Sequence, residues 1–191
     1  MARILVPFDG SAAGEYALDV ACTMAAIDGD EVCAVYVIRV PPQLPISAHL
    51  AAEHACAEQL FERAHAIADR YPAALTTMVV QARHLGPAIV EAAQDCECII
   101  FGQRARHRFV RRWLGSRTLR YLVAHAPCQV LVSYTPSAGA PAATQQFLLV
   151  NGTAREHAAG NVLRLQEHRR PPARSTANAC ANPCNWRQSR E

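Results

Sequence analysis

Five short runs of Val, Ile and Leu, separated by stretches patterned for helices, constrain this 191-residue chain more than any other feature. Residues 3–7 (RILVP), 31–40 (EVCAVYVIRV), 74–81 (ALTTMVVQ), 97–101 (ECIIF) and 129–133 (QVLVS) read as strands. Near-continuous apolar runs of this length suit strands covered on both faces. The intervening segments carry helical spacing. Residues 11–27 place Ala17, Val20, Ala21 and Met24 on one face, with Ser11 as N-cap and Asp28-Gly29-Asp30 as the stop. Residues 48–71 bury Leu50, Ala57, Leu60, Phe61, Ala64 and Ile67; Gly86-Pro87 opens a helix to Ala93, and Ser116 to His125 forms a fourth. Strict alternation of strand and helix predicts an α/β fold: a single doubly wound five-stranded parallel sheet with helices on both faces.

Ligands in such sheets bind beyond the carboxyl ends of the strands, where the strand order reverses. Asp9, Val37 and Gly102 all fall at or near such ends, so three separate segments are expected to converge on one crevice. The segment from Gly102 to Ser116, GQRARHRFVRRWLGS, has the composition of an anion cradle. Glycine lets backbone N–H groups approach a ligand, arginines lie at 104, 106, 108, 111 and 112, and Gly115-Ser116 opens a helix. A helix start adds unpaired amides and the positive end of the helix dipole.

Composition narrows the function further. Apolar residues make up 51% of the chain, enough for a real core. Through Tyr134 there are 12 Arg against 13 Asp and Glu, a net of −1; beyond it 7 face 3, a net of +4. Basicity concentrated in a tail and one loop is poor support for a nucleic-acid-binding face. No apolar run approaches the ~18 residues of a membrane span. Lysine is absent. Eight cysteines are present, but Cys22, Cys33, Cys96, Cys98 and Cys128 sit inside apolar patterns, as buried free thiols do. The expectation is a cytoplasmic protein in a reducing compartment. Residues 1–134 form the predicted domain; 135–191 are a Pro/Ala linker and a basic tail expected to be disordered, with short apolar islands at 146–152 and 161–165 that are too small for a core and either dock on the domain or stay transient.

The signature ILVPFDGS, the loop Gly102-x2-Ala105-x9-Gly115-Ser116 and the segments GPAIVEAA and AHAPCQVLV occur in an order that resembles the universal stress protein family over residues 2–134. The resemblance implies a Rossmann-like fold of the adenine nucleotide alpha hydrolase-like type. It also implies a stress-response role in which ATP or another adenine nucleotide, with or without Mg²⁺, is a regulatory ligand. By that resemblance Pro7 lines the base, Asp9 contacts the adenosine part, and Val37 meets adenine through its backbone. Gly102, Gln103, Arg104, Ala105, Arg106 and Arg108 would border ribose and phosphates, while Gly115, Ser116, Arg117 and Thr118 would hold the phosphates. It further implies a homodimer, placed through the apolar edge of residues 129–133.

Ala105 departs from the family pattern, which has glycine there. A left-handed conformation at that position would cost alanine on the order of 1 kcal/mol. The alternative reading is therefore a nucleotide-independent interaction module with a degenerate phosphate loop. Enzymatic turnover has little support. The chain has no phosphate-loop lysine, nucleophile–base pair or paired carboxylates near the crevice, and the most it suggests is a slow ATPase using Asp9 and Mg²⁺. Cys96 and Cys98 lack the further ligands of a zinc site.

Overall fold

The computed structural model describes residues 2–104 and 116–135, and the backbone of 146–150. In chain order the elements are β1 (Arg3–Pro7), α1 (Ala12–Asp28), β2 (Glu31–Arg39), α2 (Ala51–Ala68), β3 (Ala74–Ala82), α3 (Leu85–Ala92), β4 (Cys98–Arg104), α4 (Arg117–His125), β5 (Gln129–Thr135) and β6 (Gln146–Val150). The sheet runs β3-β2-β1-β4-β5-β6. The first five strands of that order pair in parallel, as the strand–helix alternation predicts. The chain winds outward from β1 through β2 to β3, then crosses back to place β4 on the other side of β1. The order thus reverses between β1 and β4.

Alternation along each strand divides the core into two layers. Ile4, Val6 and Phe8 pack with Val32, Ala34 and Ile100 beneath α1 and α2. Leu5, Cys33, Val35, Ile99, Val130 and Val132 point the other way, against Ile89 of α3 and Leu119 and Leu122 of α4. Successive strand side chains face opposite sides, so a continuous apolar run supplies both layers at once. Leu5, Ile99 and Ile100 are fully buried, and each such side chain contributes about 1.5–3 kcal/mol. This alternation explains why the runs lack the polar–apolar pattern of a one-sided sheet.

Helix α1 begins where the sequence predicts. Ser11 is its N-cap, with Oγ accepting from Gly14 N at 3.2 Å, and Gly29 ends it in the left-handed conformation at φ 74°. Tyr71 Oη donates to Asp19 Oδ1 at 2.7 Å, and Arg70 donates to the same oxygen at 3.1 Å. These bonds tie the end of α2 to the middle of α1.

Three expectations require correction. Gly102 does not end the fourth strand, because β4 continues to Arg104, with Gly102 paired to Ser133 and Arg104 to Thr135. Extended pairing with β5 outweighs the strand-breaking tendency of glycine. The edge at residues 129–133 is not bare, since β6 pairs antiparallel with β5, Val130 opposite Val150 and Tyr134 opposite Gln146. Within the expected linker and tail, Thr135 belongs to β5 and residues 146–150 form β6, so the first apolar island docks on the domain; the island at 161–165 lies outside the described residues.

Five cysteines, Cys22, Cys33, Cys96, Cys98 and Cys128, are free thiols. Burial pushes Cys22 and Cys96 up to about 11 and Cys98 up to about 12, which leaves them protonated and unreactive near neutral pH. Cys56 is disulfide-bonded, so the expectation of free thiols does not extend to it. No described helix is long and apolar enough to cross a membrane.

Candidate functional site

A cavity of about 660 Å³ opens over the carboxyl ends of β1, β2 and β4, at the reversal of strand order. Of the residues singled out from sequence, Pro7, Asp9, Val37, Gly102, Ser116 and Thr118 line it. Gln103, Arg104 and Arg117 do not, and the two arginines are exposed. Ala105, Arg106, Arg108 and Gly115 lie outside the described residues. Gln103 Oε1 is buried with no hydrogen-bond partner among the described residues.

The acidic side of the crevice is the β1–α1 turn. Asp9 Oδ1 accepts from Ser11 N at 3.0 Å, an Asx-type bond that fixes the carboxylate above the end of β1. A carboxylate has further lone pairs beyond that bond, so Asp9 can still accept from ligand hydroxyl or amine groups. Gly10 has φ 68°, which orients the turn in a conformation that side chains with a Cβ rarely adopt. Arg63, from α2, donates to Gly10 O at 3.3 Å and pairs with Glu15 of α1. Tyr36 belongs to the same side. Burial raises its phenol above the ordinary value, and the charges of Asp9 and Glu53 add to the shift, so the hydroxyl remains a donor.

The floor is backbone. A Cβ on Gly102 would lie 2.0 Å from Ala13 O and 3.0 Å from Gly14 N, so β4 and the first turn of α1 are in direct contact. Glycine is required here for close approach, since its φ is not in the left-handed region.

The opposite side is the start of α4. Ser116 is the N-cap, its Oγ accepting from Leu119 N at 3.0 Å. Capping uses an acceptor lone pair and leaves the O–H free to donate to an anion. The first turn of α4 contains no acidic residue, so its unpaired amides and the dipole's positive end are not neutralised locally. Thr118 adds a second hydroxyl at the same end.

Glu53, Cys56 and Gln59 on α2, Arg39 at the end of β2, and Leu85, Ile89 and Phe101 also line the crevice. Sequence reasoning missed them. Glu53 and Gln59 are exposed on the amphipathic helix α2, and only the docking of α2 over β2 decides which flank meets the crevice. Among the described residues no group of three or more His, Cys, Asp or Glu could hold a metal ion.

A crevice at a reversal of strand order, beyond the carboxyl ends of the strands, is where doubly wound α/β domains bind their ligands. The sequence profile of the universal stress protein family matches residues 1–133, and the chain belongs to that family. A universal stress protein family structure from Burkholderia pseudomallei is 26% identical, with a TM-score of 0.52, covering 71% of this chain and 96% of that one. The universal stress protein UspA from Lactobacillus plantarum is 27% identical, with a TM-score of 0.53 and coverage of 69% and 96%. A universal stress protein from Archaeoglobus fulgidus, in complex with dAMP, shares the fold at 17% identity, with a TM-score of 0.53 and coverage of 69% and 96%. Among curated proteins none matches this chain.

Proposed function

We propose that the crevice binds an adenine nucleotide, with ATP the first to test, as a regulatory ligand in the stress response. The observation that carries this reading is the polarity of the crevice, whose two sides hold opposite signs of charge chemistry. Phosphate belongs at the start of α4, where Ser116 and Thr118 donate and the helix dipole favours negative charge. Ribose and base belong toward Asp9, Tyr36 and the end of β2, where the carboxylate accepts from hydroxyl or amine groups and Val37 offers backbone. The related Archaeoglobus fulgidus protein, which binds dAMP, supports the choice of nucleotide class. Mg²⁺ would enter with the phosphates, held by phosphate oxygens, water and at most a carboxylate such as Asp9.

Calorimetric titration of the full chain with ATP and Mg²⁺, beside AMP, tests the proposal. Micromolar binding that weakens in Ser116→Ala supports it. Ala105 favours a second reading, an interaction module that has lost the ligand. Absence of binding by the wild type, with recovery in Ala105→Gly, would establish that reading instead.

A further inference from the structure

Strand β6 is an addition to the doubly wound sheet. The five parallel strands are complete without it, yet it lies antiparallel along the outer edge of β5. We propose that β6 is an edge guard in cis: it occupies the edge of β5 that would otherwise pair with β5 of a second copy of this chain, and so keeps the protein monomeric.

Each strand edge offers one row of N–H and C=O groups and can be satisfied by one neighbour only. The inner edge of β5 is taken by β4 over seven residue pairs, Cys98 with Gln129 to Arg104 with Thr135. The outer edge is taken by β6 over five, Val130 with Val150 to Tyr134 with Gln146. A strand from another molecule can therefore reach β5 only where β6 has left.

The second copy is the occupant that β5 fits best. Residues 129–135, QVLVSYT, carry no charged side chain to repel an identical strand. The edge accepts its neighbour in the antiparallel sense, and two identical strands related by a two-fold axis are antiparallel by symmetry. One axis would satisfy both edges at once.

Chain connectivity decides the competition in favour of β6. Gln146 follows Thr135 by only eleven positions, so the pairing is intramolecular. Short connections give effective concentrations on the order of millimolar, which would outcompete a second copy present at about 10 μM by roughly a hundredfold for equal ladders. None of this depends on whether the crevice takes a nucleotide.

The test is sedimentation velocity on the full chain, wild type and Leu148→Pro, across about 1 to 200 μM, a range chosen to lie below that effective concentration. Proline at the centre of β6 removes a ladder N–H and opposes the strand. The wild type should remain monomeric, and Leu148→Pro should dimerise at a concentration at least ~10-fold lower, once the intramolecular competitor is gone. Leu148→Gly keeps every ladder N–H and only loosens the strand, so it should fall between the two. It also decides the matter if the proline variant fails to fold. Equal association by wild type and variants overturns the proposal, as do folded variants that stay monomeric over the whole range.

Discussion

Two serine-capped helices face each other across the crevice, and their capping is nearly the same. Ser11 accepts from Gly14 N and Ser116 from Leu119 N, each three residues on. Their electrostatics differ. The start of α1 carries Asp9 at its entry and Glu15 in its first turn, so its positive end is met by carboxylates of the chain itself. The start of α4 has no acidic residue in its first turn. The same local motif is therefore neutralised by the chain's own carboxylates at one end and not at the other. A cap by itself says little about ligand binding; what matters is whether the dipole it completes is already answered.

The largest effect is expected where the start of α1 meets β4. Gly102→Ala places a methyl group against Ala13 O, and separating α1 from β4 should cost about 3 kcal/mol. A lower denaturant midpoint with an unchanged slope would record it. An unaltered midpoint would mean that the contact gives way easily, and that the start of α1 is not held in fixed relation to β4.

Next is a substitution that makes α4 resemble α1. Thr118→Asp puts a carboxylate in the first turn of α4, where it should weaken nucleotide binding tenfold or more, about 1.4 kcal/mol. The same charge complements the helix dipole and should leave the melting temperature unchanged or slightly higher. Binding and stability moving in the same direction would argue against the dipole as the phosphate determinant.

The two caps can then be compared directly. Ser11→Ala and Ser116→Ala should each lower stability by about 1 kcal/mol. Only Ser116→Ala should also weaken nucleotide binding, by roughly tenfold, because the proposed phosphate position is at the start of α4 and Ser116, unlike Ser11, lines the crevice. Equal losses of affinity would erase the distinction between the helices.

The last comparison is a control in the core layer beneath α1, away from the crevice. Cys98 is raised from 9.0 to about 12, chiefly by burial. The folded state therefore holds a proton that the unfolded state releases above pH 9, and stability should fall as pH rises from 9 toward 12. Cys22 and Cys96 contribute in the same direction up to about 11. Urea midpoints measured between pH 8.5 and 10.5, a window on the rising side of an ordinary thiol pKa, should decline more steeply for wild type than for Cys98→Ala.

The sheet was legible in the sequence because two-sided burial demands uninterrupted Val, Ile and Leu, and no helix needs that pattern. Asp9, Gly102 and Ser116 were legible because turns, close approaches and caps each select few residue types. Other features depend on tertiary contacts without a local signature. The continuation of β4 past Gly102 is decided by its register with β5, not by its own residues. Glu53 and Gln59 reach the crevice because of how α2 docks. The run QFLLV has strand composition, but five residues do not reveal which edge they will join.

The bonds from Arg63 to Gly10 O and Glu15 fasten the wall of the crevice to its acidic turn. Helix α2 and Asp9 are consequently parts of one jaw, and α4 is the other. A shift of α2 is therefore passed to the turn that carries Asp9, and the acidic side of the crevice moves as one piece.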